Sequence, residues 1–350
     1  MNRKLPIWWL SATLFTLLLL GQPTLGQHVV HAETAVPTEL NAATHNFPTN
    51  IRFDLVTTAE FDVEVESVTL HYGTYGLGCQ EGGSRQQVEF VPNSILALAW
   101  TWDLARSGGL PPGVTVWWEW ELVDADGNRY FTERQEHLYT DNAFDWQTIS
   151  QGDVSVYWHR GNRQFGEMIL NETVSSLDRI AAEVGVEPET TTQVWVYPTG
   201  SDIQEAILFL PDWAGGVAFP RYNVTVIGVS PGEDEWAQEI IPHELLHLLI
   251  ERRIFNCQGV NLPTWLNEGL ATFVEPTFDA AALTNVERAL TNGDLPPLRS
   301  LQSGFSAFGS AANLSYRQSA SVVSFLISEF GVEKMDLLLG TMQGGSQVDE

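Results

Sequence analysis

The hydrophobic period of this chain changes near Trp146, and that change limits the folds open to it. From about Thr49 to Thr148 apolar residues recur at every second position, the pattern of half-buried strands. Val114, Val116, Trp118, Trp120 and Leu122 would share one face, with Thr115, Glu119 and Glu121 on the other. Val63, Val65, Val68, Leu70 and Tyr72 make a second run with one slip, which reads as a bulge. Asp126-Gly127 separates the first run from Tyr130 and Phe131, a hairpin signal because glycine accepts the positive φ of a tight primed turn. Five to seven short strands of this kind predict a β-sandwich of immunoglobulin-like size over residues 49–149.

Beyond Trp146 strands alternate with helices. Val154, Val156 and Trp158 alternate as a strand, and Phe165, Ile169, Leu177, Ile180 and Val184 then recur at helical spacing until Gly185. Thr192 to Tyr197 reads as a strand. Ser201 with Gln204 reads as a capping box for a helix through Phe209, and Tyr222 to Val229 reads as another strand. From Glu233 onward the periodic segments are helical. The chain is therefore predicted to be α+β, with a second domain over residues 150–350 in which a sheet comes first and helices follow. The stretch 33–48, with its Ala, Thr and Pro, reads as a linker.

Charge narrows the function. Seventeen Lys plus Arg against 44 Asp plus Glu give a formal charge of −27. Such a surface repels phosphate backbones and anionic lipid, so no nucleic-acid partner and no electrostatic membrane docking are expected. The N-terminus carries Arg3 and Lys4 before an uncharged run from Leu5 to Leu20, broken by Gly21 and Pro23. That layout is a signal peptide over residues 1–32, too short for a span of about 20 residues. Cleavage is expected after Ala32, with an uncleaved signal anchor as the alternative. The protein is thus expected to be secreted or on the extracytoplasmic cell surface. A bridge between its two cysteines, Cys79 and Cys257, would be permitted there. At the other end Ser346, Asp349 and Glu350 read as the opening of a further helix, so a longer natural chain is expected.

His243-Glu244-Leu245-Leu246-His247 carries the sharpest chemical signal. Residues four apart lie on one face of a helix, about 6 Å apart along the axis, so both imidazoles can reach one metal ion. Glu244 can touch a water on that ion but is badly placed to ligate it. Zinc with an open position lowers the pKa of its water to about 7, and an adjacent carboxylate can take the proton. Trp236, Ile240, Leu246, Leu249 and Ile250 give the helix a buried stripe, while Pro242 either kinks it or opens a new one.

A catalytic zinc needs a third protein ligand, and no histidine follows His247. The metzincin continuation would require glycine and histidine at two positions that hold Ile250 and Arg253. Glu251 is about 12 Å of helical rise from His243, too far to share its ion. Cys257 and Glu268 remain. Glu268 is preferred, since hydrolytic zinc sites take histidine or carboxylate. It lies in Trp265-Leu266-Asn267-Glu268-Gly269-Leu270-Ala271, opened by Pro263 and Thr264, where Gly269 would let another backbone come close. Glu251 and Glu275 then read as surface or supporting acids.

This pair of helices resembles the gluzincin metallopeptidases, the group of thermolysin and the aminopeptidases, and most closely their bacterial peptidase MA-like branch. The resemblance spans about residues 150 to 342. It implies a zincin-like catalytic domain of mixed sheet plus active-site helices, one zinc ion held by His243, His247 and Glu268, and Glu244 as general base. It also implies that Tyr222 to Val229 is the edge strand along which a peptide lies. The thermolysin-like histidine donor for the oxyanion is missing; Tyr316, at the start of the segment Tyr316-Arg317-Gln318-Ser319, is the expected donor, with Arg317 as substitute. Val322, Val323, Phe325, Leu326 and Phe330 on that helix read as core. No signature for gripping a free N-terminus is present, so action within a peptide or protein substrate is preferred. The competing readings are an inactive peptidase-like adhesion or carbohydrate-binding surface protein, and a zinc amidase or esterase.

Overall fold

The computed structural model describes residues 34–58, 64–79, 83–91, 95–211, 214–259, 261–305 and 309–345. The expected signal peptide, its cleavage after Ala32, Val63 and the helix opening at Ser346 lie outside the described residues. Strands β1 (Thr34–Ala35), β2 (Thr38–Asn46), β3 (Asn50–Thr57), β4 (Val65–Thr74), β5 (Ser84–Gln87), β6 (Ala97–Asp103), β7 (Val114–Asp124), β8 (Arg129–Phe131) and β9 (Gln135–Tyr139) make two sheets. One has the order β1-β8-β7-β4-β5 with β9 also paired to β7, and the other β2-β3-β6. Ile51, Phe53 and Leu55 of β3 share a core with Val68 and Leu70 of β4 and Val116, Trp118, Trp120 and Leu122 of β7. Burying each such side chain is worth roughly 1.5–3 kcal/mol, which fixes the register of both sheets. The slip in β4 is a register shift against β7 between Val65 and Ser67. Gly127 turns the β7–β8 connection with φ 81°, and Asp124 Oδ1 accepts from the Asp126 and Asn128 amides.

The stretch 33–48 is not a linker, because it carries β1 and β2. None of the side chains of β2 is fully buried, so no apolar alternation marks it. Main-chain pairing with β3 and a hydrogen bond from Trp118 Nε1 to Asn41 Oδ1 at 2.8 Å hold it instead. The polar strand β5 escaped the periodicity for the same reason.

In the second half β10 (Gln147–Gln151), β11 (Val154–Trp158), β12 (Thr192–Tyr197), β13 (Gly216–Phe219) and β14 (Val224–Gly228) form a sheet of order β10-β11-β12-β14-β13. β11, β12 and β14 run parallel, while β10 and β13 are antiparallel edges. The expected edge strand, Tyr222 to Val229, is therefore interior. Every residue of β14 is buried, as a strand covered on both faces requires, and the edge is the short β13 with its two-glycine entry.

Helix α1 (Arg163–Val184) starts on Asn162, whose side chain accepts from the Phe165 amide, and ends at Gly185 with φ 82°. Helix α2 (Gly200–Ala206) is capped two residues before the expected cap and stops short of Phe209. Thr199 supplies the capping oxygen, accepting from the Asp202 amide, so Ser201 is already inside the helix. Helices α3 (Asp234–Arg253), α4 (Thr264–Phe273), α5 (Ala280–Asn292), α6 (Gly309–Phe330) and α7 (Val332–Gln343) follow. Ile169 and Ile180 of α1 and Leu245 and Leu249 of α3 pack with Val156, Val194 and Val196 of the sheet.

A Cβ at residue 269 would lie 2.8 Å from the Ser319 backbone, so Gly269 is what lets α6 approach α4. That approach turns Ser319, Ala320 and Val323 inward and leaves Phe325 (57%) and Phe330 (62%) exposed, contrary to their reading as core. The disulfide Cys79–Cys257 ties the sandwich to the loop after α3. The two parts also meet where the Leu77 amide donates to the Arg221 carbonyl and the Tyr197 hydroxyl donates to Asp141. Among the described residues no helix is long and apolar enough to cross a membrane.

Candidate metal centre

Helix α3 runs unbroken through Pro242, which leaves the Gln238 carbonyl without its usual i+4 donor on an exposed turn. One turn separates His243 from His247, and their Nε2 atoms face each other at 3.2 Å. Helix α4 brings in Glu268, whose Oε2 is 3.6 Å from His243 Nε2 and 3.5 Å from His247 Nε2. A tetrahedral ion bonded at about 2.1 Å spaces its ligand atoms about 3.4 Å apart. The three donors already stand at that spacing, and they are the set of His, Cys, Asp and Glu side chains able to hold an ion among the described residues. Two imidazoles and a carboxylate with a fourth position open match zinc of the hydrolytic kind. Cys257 is removed from contention by its bond to Cys79.

The other nitrogen of each ring is also engaged. His243 Nδ1 donates to Glu275 Oε1 at 2.7 Å, and His247 Nδ1 donates to Asn267 Oδ1 at 3.1 Å. A carboxylate only accepts, so His243 carries a proton on Nδ1, which leaves its Nε2 as the atom able to bind an ion. In the sequence nothing but its place beside Glu268 marks Asn267. Glu275, expected to be a surface or supporting acid, accepts this bond from His243.

Glu244 is 8% exposed and lies against the start of the edge strand, where a Cβ at residue 216 would stand 2.7 Å from its Cγ. Burial pushes its carboxyl above the usual range, with the two histidines pulling the other way and Glu268 and Glu251 reinforcing the rise. Burial alone would lower His247, but Glu268 takes it up to about 9. Glu268 is raised by burial and lowered further by His247 and His243, so its net shift is downward. The half-buried Tyr316 lies along α6, not at its start, with its ring centroid 6.4 Å from that of His243. Burial, then Glu268, Glu244 and Glu275, push its phenol up to about 12, so it remains a proton donor at neutral pH.

Two clefts meet at Gly216, His243, Glu244 and Tyr316. One, of about 390 Å³, extends past Trp236, Glu239 and Phe278; the other, of about 270 Å³, extends past Val217, Ala218 and Asn267. Trp236 does not belong to the buried stripe of α3. It is 38% exposed and forms a wall of the larger cleft, with Nε1 donating to the Gly228 carbonyl.

Residues 173–350, which contain all of these positions, match the Peptidase MA superfamily. The chain belongs to that superfamily. Solved structures resemble it at low identity. The M1 zinc metallopeptidase from Deinococcus radiodurans is 12% identical, with 89% of this chain and 84% of that one covered and a TM-score of 0.38. A mutant of that enzyme is 14% identical, with 87% and 85% covered and a TM-score of 0.40. Legionella pneumophila aminopeptidase A in complex with aspartic acid is 10% identical, with 89% and 45% covered and a TM-score of 0.34. No curated protein matches the chain in sequence.

Proposed function

We propose that this superfamily member is a zinc metallopeptidase of the gluzincin kind that hydrolyses peptide bonds outside the cytoplasm. The observation that carries the reading is the triangle of His243 Nε2, His247 Nε2 and Glu268 Oε2, with sides of 3.2 to 3.6 Å and the Glu244 residue between its two histidines. When bound, zinc supplies Lewis acidity that acidifies a water and polarises the scissile carbonyl. Glu244, its proton affinity raised by burial, takes a proton as the water oxygen bonds to the carbonyl carbon. The same carboxyl then delivers that proton to the departing amine as the C–N bond breaks. Tyr316, protonated at neutral pH, would donate to the oxygen on which charge develops. The substrate backbone would add to the free side of β13, which borders both clefts through Gly216. Extracytoplasmic location draws support from the Cys79–Cys257 bridge, since such bonds persist in oxidising compartments.

The test compares the parent with Glu244→Gln in zinc content and in hydrolysis of a mixed peptide library. One zinc per chain in both, with cleavage falling by at least roughly 100-fold in the variant, is expected. Equal cleavage by the two would defeat the assignment and favour a peptidase-like binding protein. Turnover of ester probes without any peptide cleavage would favour the small-amide or ester hydrolase.

A further inference from the structure

The larger cleft has a chemical character that the proposed hydrolysis does not explain. Trp236 and Phe278 form apolar walls beside Glu239, within the 390 Å³ cleft that reaches His243 and Glu244. The indole is fixed by its bond to the Gly228 carbonyl and by Gly215, where a Cβ would stand 2.6 Å from the ring. Glu239 is half-buried and makes no hydrogen bond or ion pair with another described residue. Glu275 and Glu235 are near enough to repel it. Arg317 also lines the cleft, but Asp279 lies close enough to feel its charge. A second, independent sign comes from Thr272. It lines the same cleft at 6% exposure, and its hydroxyl has no hydrogen-bond partner.

A partly desolvated carboxylate with like-charged neighbours is unfavourable alone, and a cation is what relieves it. Aromatic faces add to that preference, because their π-systems attract ammonium and guanidinium groups. The cleft is large enough for a long side chain and continuous with the reacting centre. Resting on the peptidase reading, we infer that this cleft is the side-chain subsite of the enzyme and that it takes a lysine or arginine of the substrate, with Glu239 as the counter-ion. Burial and its two acidic neighbours raise the Glu239 carboxyl, the direction expected of a carboxylate that lacks its cation. The net charge of −27 would further concentrate basic peptides near the protein.

The test uses the zinc-loaded full chain and peptides that differ at one position, carrying lysine, norleucine or glutamate in turn at each site along the sequence. At one position the parent should prefer lysine over norleucine by about tenfold in kcat/KM, the loss in norleucine appearing mainly in KM. In Glu239→Gln that ratio should collapse towards unity, and in Glu239→Lys glutamate should overtake lysine. Binding of the same peptides to the Glu244→Gln chain, followed by calorimetry, separates the two claims. Cleavage with no lysine preference, or a preference that survives in Glu239→Gln, overturns the subsite while leaving the peptidase intact. Lysine-selective binding without cleavage by the parent supports the subsite and overturns the peptidase.

Discussion

His243 on α3 donates its Nδ1 proton to Glu275, a residue just past the end of α4, over 2.7 Å. The two helices that carry the proposed ion ligands are thus also joined by a hydrogen bond outside that set. Such outer partners fix the ring and its tautomer, and losing one typically costs about 10–100-fold in metal affinity or activity. Glu275→Ala should weaken zinc binding within that range in a chelator competition. An unchanged zinc affinity would remove Glu275 from the centre.

Glu268→Ala leaves two imidazoles on one helix and nothing from α4. Metal analysis of the purified variant should find well below one zinc per chain, with peptide cleavage lost in parallel. Stoichiometric zinc in this variant would mean that another residue is the third ligand.

Gly216→Ala places a methyl group 2.7 Å from Glu244 Cγ, where both the strand backbone and the buried carboxylate would have to yield. Displacing a reacting group by about 1 Å can cost on the order of 100-fold in rate. Zinc content should remain at one per chain while kcat falls steeply. A variant with full kcat would show that Glu244 tolerates a different position.

The disulfide closes a loop of 178 residues in sequence. Cross-links over loops this long constrain the unfolded chain by about 2–5 kcal/mol. The double variant Cys79→Ser, Cys257→Ser should unfold at a clearly lower temperature than the oxidised parent in calorimetry. Coincident melting curves would show that the junction is held by its non-covalent contacts.

Glu121 in the sandwich gives a pH signature. Burial alone would raise its carboxyl, but hydrogen bonds from His71 and Arg129 outweigh that and hold it below the usual glutamate range. The folded state then binds its proton less readily than the unfolded state. The contribution is complete above the unfolded pKa of about 4.3 and is lost as pH falls through the lower folded value. Urea midpoints should therefore drop more steeply below about pH 4.3 in the parent than in Glu121→Gln. Parallel pH profiles for the two proteins would contradict this.

Local periodicity made much of the fold legible. The two-residue period of β7 and the 3.6-residue period of α1 report which face is buried, and the hairpin glycine and the helix-ending Gly185 lie where the turn requires positive φ. The strands of residues 34–46 left no such trace, because main-chain pairing, of β1 to β8 and of β2 to β3, holds them on the sandwich. β13 was hidden for a similar reason. Four residues that begin on the second of two glycines give no pattern, and only its pairing with β14 makes it the edge.

The sequence by itself determined the His243 and His247 pair, since a spacing of four on a helix puts two side chains together whatever the rest of the chain does. It also made Glu268 the preferred third donor. Tertiary structure decided the distances among the three, the pairing of His243 with Glu275, the exposure of Trp236 beside Glu239 and the bond between Cys79 and Cys257. Each of these joins segments separated along the chain. Their meeting depends on how α4 packs against α6 through Gly269 and how the sandwich docks on the second half, which no local backbone preference fixes.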